Sequence, residues 1–190
     1  MIPKRENAQV RSISREVNLA WLAGIIDGEG NLDFSVQTKK SGKSGNTNNY
    51  LCPKVRITNT DIRMIRKVSE IYVNENIVFF YALNSVKRYK NRKDTWKNQL
   101  EITTASHGSV KKLLSLVLPY LVNKRDLAQM MIETITWVQE QPYRGRNSTK
   151  EENYSLKSEF RAFMEKLKGE RAFHVDPSTT TRKAGEVIVW

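Results

Sequence analysis

Hydrophobic positions along the chain switch between two periods, and the switches mark its elements. From Arg15 to Asp27 the apolar residues Val17, Trp21, Leu22, Ile25 and Ile26 recur at helical spacing, with Ser14 placed as an N-cap. After Gly30 the period drops to two. In NLDFSVQTK, Leu32, Phe34 and Val36 share one face, while Asn31, Asp33, Ser35, Gln37 and Lys39 share the other, which predicts a half-buried strand. The loop KSGKSGNTNN at 40–49 leads into PKVRIT, where Val55 and Ile57 alternate with Lys54, Arg56 and Thr58, so the two strands are expected to form a hairpin. Asn59, Thr60 and Asp61 then offer caps for a second helix carrying Ile62, Ile65, Val68 and Ile71 along one side.

A third strand begins near Ile77, but its VFFYAL centre is apolar throughout and leaves its outward face undecided. The basic tip KRYKNRK, with Lys87, Arg88, Lys90 and Arg92, separates it from a fourth strand, TWKNQLEIT. There Trp96, Leu100 and Ile102 are expected inside, and Lys97, Gln99, Glu101 and Thr103 outside. From Ser109 the pattern is helical. Val110, Leu113, Leu114, Val117 and Leu118 form an amphipathic stripe that Pro119 ends. Two further helices are expected, at about 124–139 with Leu127, Met131, Ile135 and Val138 inside, and at about 150–168 with Phe160, Phe163 and Leu167 inside. The order is helix, strand, strand, helix, strand, strand and three helices. Hairpins with clustered helices imply an α+β fold, an antiparallel four-stranded sheet backed by helices on one face. The expected organisation is an arm at 1–13, one domain at 14–170 and a tail at 171–190 with no functional reading.

Composition narrows the chemistry. The 190 residues include one cysteine, Cys52, and two histidines, His107 and His174, too few for an internal disulfide or a zinc centre. Charged residues make up 27% and the mean hydropathy is −0.57, values of a chain with a wet surface. No apolar run approaches the ~18 residues that span a bilayer, and the basic start MIPKRENAQVRS lacks the apolar core of a secretion signal, so an intracellular location is expected. Thirty-two Lys and Arg against 20 Asp and Glu give a net charge of +12, which implies a polyanion such as nucleic acid or an anionic membrane, or else a highly soluble surface. The outward positions of the strands favour DNA over a membrane. Asn31, Asp33, Ser35, Gln37, Lys39, Lys54, Arg56, Lys97, Gln99, Glu101 and Thr103 are groups that match base edges and phosphates, although a solvated sheet face would have similar polarity. The basic tip and the 39–49 loop extend that surface.

The run LAGIIDGEG at 22–30 places glycines at Gly24, Gly28 and Gly30, each costing about 1 kcal/mol against alanine inside a helix. It closely resembles the signature of the LAGLIDADG homing endonucleases, identical at six of nine positions, with Ile25, Gly28 and Glu29 substituted. Element order and later segments extend the resemblance from about Ser14 to Lys168. It implies that Leu22, Gly24, Ile25, Asp27 and Gly28 lie at an interface where two copies of the helix press together, the alternative being glycines packed on the chain's own helices. With one signature per chain, the resemblance implies a homodimer on a long pseudo-palindromic double-stranded site. Glu29, with the backbone carbonyl of Gly30, is the implied metal ligand, and Asp27 a structural carboxylate at the helix end. Mg²⁺ is the implied cofactor, with Mn²⁺ substituting and Ca²⁺ supporting binding without cleavage.

Three further catalytic residues are carried over by position. Asn59 would orient solvent, though it reads equally as a helix cap; Arg63 would support it; Lys124, with Arg125 as competitor, would neutralise charge at the scissile phosphate. The implied activity is hydrolysis of one phosphodiester per strand across the minor groove with short 3′ overhangs. The alternatives are an intron-RNA maturase and a DNA-binding regulator on the same fold.

Overall fold

The computed structural model describes residues 4–40, 47–84, 97–140 and 150–171. Helix α1 (Lys4–Glu29) runs directly into strand β1 (Gly30–Lys40), which pairs with β2 (Thr47–Asn59). Helix α2 (Ile62–Asn74), β3 (Phe80–Asn84), β4 (Gln99–Thr104), α3 (His107–Val117), a 3-10 turn (Leu118–Tyr120), α4 (Arg125–Glu140) and α5 (Lys150–Arg171) complete the chain. The sheet is antiparallel in the order β1-β2-β4-β3, so the hairpin expected from period-two alternation forms, with Leu32 opposite Val55.

The helices cover one face. Leu32, Phe34, Leu51, Val55, Ile57 and Ile102 point into a core closed by α1, α2, α3 and α4, and Phe160 of α5 meets Phe34 edge to face at 4.9 Å. The stripe Val110, Leu113, Leu114 and Val117 is fully buried, while Leu118, in the turn that Pro119 shapes, is only half-buried. On α4, Leu127, Met131 and Ile135 are buried as expected.

Several boundaries differ from the sequence reading, for identifiable reasons. Helix α1 starts at Lys4, so Ser14 lies inside it rather than capping it. Asp61 is the residue that caps α2, accepting the Arg63 N–H at 2.9 Å, and Ile62, at the first turn outside the core, is exposed. Strand β3 starts at Phe80, after Ile77 has turned into the core, and as an edge strand it leaves Phe80, Tyr81 and Leu83 about half exposed. Strand β4 starts at Gln99, which puts Lys97 in the preceding segment. Thr103, expected to be open, is only 2% exposed because it sits mid-sheet between Arg56 of β2 and Phe80 of β3. Residues Lys87, Arg88, Lys90, Arg92 and Trp96, and the tail at 172–190, lie outside the described residues, as do the side chains of Lys39 and Leu167.

Candidate active site at the end of the first helix

Helix α1 has two apolar faces. Leu19, Leu22, Ala23 and Ile26 follow the i, i+3, i+4, i+7 rule and are buried in the core. Leu22, expected at an intersubunit surface, is therefore wholly enclosed by its own chain. Val17, Trp21, Gly24 and Gly28 follow the same rule about half a turn away, and this stripe faces outward, with Val17 63% and Trp21 36% exposed. A Cβ built on Gly24 or Gly28 meets nothing within 4 Å among the described residues, so none of their packing needs either glycine. Gly30 is the opposite case. A Cβ there would stand 2.5 Å from the carbonyl oxygen of Ile26, and only glycine lets helix pass into strand without a spacer.

That junction presents Glu29 to solvent at the C-terminus of α1. Carboxylates are unfavourable there, because the unpaired carbonyls give a helix C-terminus a partial negative charge, and the last turn holds no basic residue. The compensation comes from the connection before α4. Lys124 Nζ donates to the Ile26 carbonyl at 2.9 Å and to that of Asp27. Asp27 returns the arrangement by accepting backbone N–H groups from Val122 at 2.7 Å, Asn123 at 3.2 Å and Lys124 at 2.9 Å. Each helix end is thus satisfied by a charge from the other segment. Asp27 acts structurally, with partners inside its own chain. Burial lowers the Lys124 pKa, and attraction to the Asp27 and Glu29 carboxylates partly offsets that pull.

Asp27→Ala strands three backbone donors and is expected to lower unfolding free energy by about 2 kcal/mol in urea titration. An unchanged midpoint would refute the clamp.

The sheet register brings Asn59 to the same end as Glu29, since Gly30 pairs with Ile57 two residues before Asn59. Its Oδ1 accepts the Asp61 N–H at 2.7 Å, so its local role is in the turn into α2. Arg63 is not drawn into the cluster. Its guanidinium pairs with Asp61, Nη2 to Oδ2 at 2.7 Å, and holds that carboxyl down to about 2, with no hydrogen bond to Glu29, Asn59 or Lys124 among the described residues. Arg125, the competitor of Lys124, is exposed at the start of α4, whereas Lys124 touches the α1 terminus.

No group of three or more His, Cys, Asp or Glu side chains gathers among the described residues. Glu29 makes no hydrogen bond or ion pair there, so one chain offers a single unengaged carboxylate at this point. An exposed oxygen donor in a locally negative site suits Mg²⁺, which takes one or two carboxylates and completes its shell with water and substrate phosphate. The residues fit such an ion as part of a site, not as a closed cage.

On the face opposite the helices, side-chain hydrogen bonds run between strands and along β4. Arg56 Nη2 donates to Asn31 Oδ1 at 2.8 Å, and Glu101 accepts from Thr103 at 2.8 Å and from Thr58 and Asn84 at 3.4 Å. Asp33 is tied to Arg161 of α5 at 2.8 Å. Sequence periodicity places Asp33 and Glu101 on this face but carries no signal for Arg161, 128 residues away.

No protein-family model matches the chain, and no curated protein does. Solved structures do. The homing endonuclease I-CvuI, in complex with its target in the presence of 2 mM Ca, is 14% identical with a TM-score of 0.53 over 82% of this chain and 83% of that one. The same endonuclease with the I-CreI target and 2 mM Mg, the DNA not cleaved, is 14% identical with a TM-score of 0.52 over 78% of this chain and 97% of that one. The chain has the homing-endonuclease fold. More narrowly, it has the LAGLIDADG form, one four-stranded antiparallel sheet backed by helices, and the match covers nearly the whole length of the second structure.

Proposed function

We propose that the chain is a site-specific DNA endonuclease that acts as a homodimer and hydrolyses one phosphodiester on each strand with a divalent cation. One observation carries the reading: a carboxylate with no hydrogen bond or ion pair, Glu29, stands at the end of a helix whose glycine-notched outer face nothing among the described residues occupies. Pairing two such helices at Gly24 and Gly28 buries Val17 and Trp21 and brings two Glu29 side chains together. That a solved endonuclease of similar fold is in complex with DNA supports the substrate class.

In this site Glu29 and the Gly30 carbonyl would hold Mg²⁺, which when bound polarises the phosphate and eases ionisation of the attacking water. Lys124, fixed on the α1 carbonyls, places a positive charge beside the carboxylate, where it stabilises charge developing on the phosphate. Asn59 orients solvent at the sheet end and Arg63 contributes once DNA draws it from Asp61. The sheet's polar face lies in the major groove, and cleavage across the adjoining minor groove leaves short 3′ overhangs.

Digesting a random-duplex library with Mg²⁺ and sequencing the ends tests this. The expected product is a symmetric set of double-strand breaks at one long site, and intact DNA in both Mg²⁺ and Mn²⁺ overturns the reading. Binding in Ca²⁺ is expected to fall with salt at a log-log slope of about −0.9 per neutralised phosphate. A flat response in a salt titration would exclude a phosphate-tracking surface.

A further inference from the structure

The outer face of the sheet holds an arginine and a glutamate that ignore each other. Arg56 of β2 pairs with Thr103 of β4, and Thr58 with Glu101, so Arg56 and Glu101 are diagonal neighbours on one face. Such neighbours stand about 7 Å apart at the backbone, within reach for long side chains of opposite charge. Yet no ion pair joins them. Asn31 on one side holds the Arg56 guanidinium, and Thr103, Thr58 and Asn84 on the other hold the Glu101 carboxylate. Both groups are positioned by neutral partners, and neither has an ion pair among the described residues.

Counting donors and acceptors shows what remains. Arg56 has five N–H bonds; one goes to Asn31, and Nε is buried without a partner, which leaves the outer end of the fork. Glu101 accepts three hydrogen bonds out of about four lone-pair positions, which leaves one. Asp33, the other acid on this face, is neutralised by Arg161, so Glu101 is the one acid there without a cation among the described residues. A bare carboxylate in a surface that approaches DNA repels phosphates. It is tolerable where it meets an amino group on a base edge.

Resting on the endonuclease reading, we propose that Arg56 and Glu101 together specify a G·C pair in each half of the target, Arg56 donating to guanine O6 and N7 and Glu101 accepting from the cytosine amino group. A forked donor matches guanine and a carboxylate matches cytosine in the major groove. At the backbone these diagonal neighbours, about 7 Å apart, span two base steps of about 3.4 Å, and their long side chains lean inward to meet over the one base pair between them.

The test is selection of bound duplexes from a randomised pool, in Ca²⁺, by the full chain and by two variants. Wild type is expected to require G·C at a symmetric pair of positions. Arg56→Gln is expected to exchange guanine for adenine there, since a glutamine amide matches adenine. Glu101→Gln is expected to relax the cytosine preference by about 10- to 100-fold with the rest of the site unchanged. Variants that keep the wild-type base profile, or weaken all sequences equally, overturn the assignment. A wild-type chain with no sequence preference overturns the endonuclease reading itself, whereas a preference that persists in both variants overturns only this inference.

Discussion

Glu29→Gln is expected to abolish cleavage, by at least about 10³-fold, while Ca²⁺-supported DNA binding stays within a few-fold of wild type. The substitution preserves shape and removes one charge. Glu29 makes no hydrogen bond or ion pair among the described residues, so no contact of the fold is lost. Removing its charge relieves a negative helix end but forfeits the attraction to Lys124, so the melting temperature is expected to stay near that of the wild type. Activity that disappears while stability holds identifies a side chain kept for chemistry. Gel assays for nicked and linear plasmid, run beside a melting curve, read both. Residual double-strand cleavage near the wild-type rate would show that the carboxylate is not a metal ligand.

The second large effect concerns the outer stripe of α1. Gly24→Leu or Gly28→Leu is expected to convert the protein to a monomer, with cleavage lost and the chain still folded. Among the described residues each added side chain enters open space, and replacing glycine in a helix gains up to about 1 kcal/mol. In the proposed pairing the same side chain forces the backbones apart and uncovers Trp21. Sedimentation velocity with circular dichroism separates the outcomes. A dimer that persists in both variants would move the pairing surface elsewhere, and a chain that unfolds would mean the glycines serve its own packing.

The strands were legible because each face of β1 and β2 has one environment, so Leu32 and Phe34 alternate cleanly with Asn31 and Asp33. Helix α1 was harder. Val17 and Trp21 recur at helical spacing with Leu22 and Ile26, and a linear pattern does not distinguish one broad apolar face from two opposed faces. The resemblance, which treats the motif as a block, assigns Leu22 to an interface, whereas the structure buries it wholly within its own chain. Strand β3 gave no alternation, since an edge strand with both sides apolar has none to give. At the site, the motif locates Glu29 and Asp27, but the reciprocal hold between Asp27 and residues 122–124 depends on a contact 95 or more residues apart. Likewise Thr103 has the polarity of an open position and is hidden by neighbours on two other strands.

Under the proposed pairing, one catalytic unit is divided between two copies of α1, and its output depends on dosage. At concentrations well below the dissociation constant for pairing, the abundance of competent enzyme grows as the square of chain abundance, so halving expression quarters the cutting capacity. A nuclease arranged this way is self-limiting at low copy number, and genomes carrying it are shielded from stray breaks without any inhibitor.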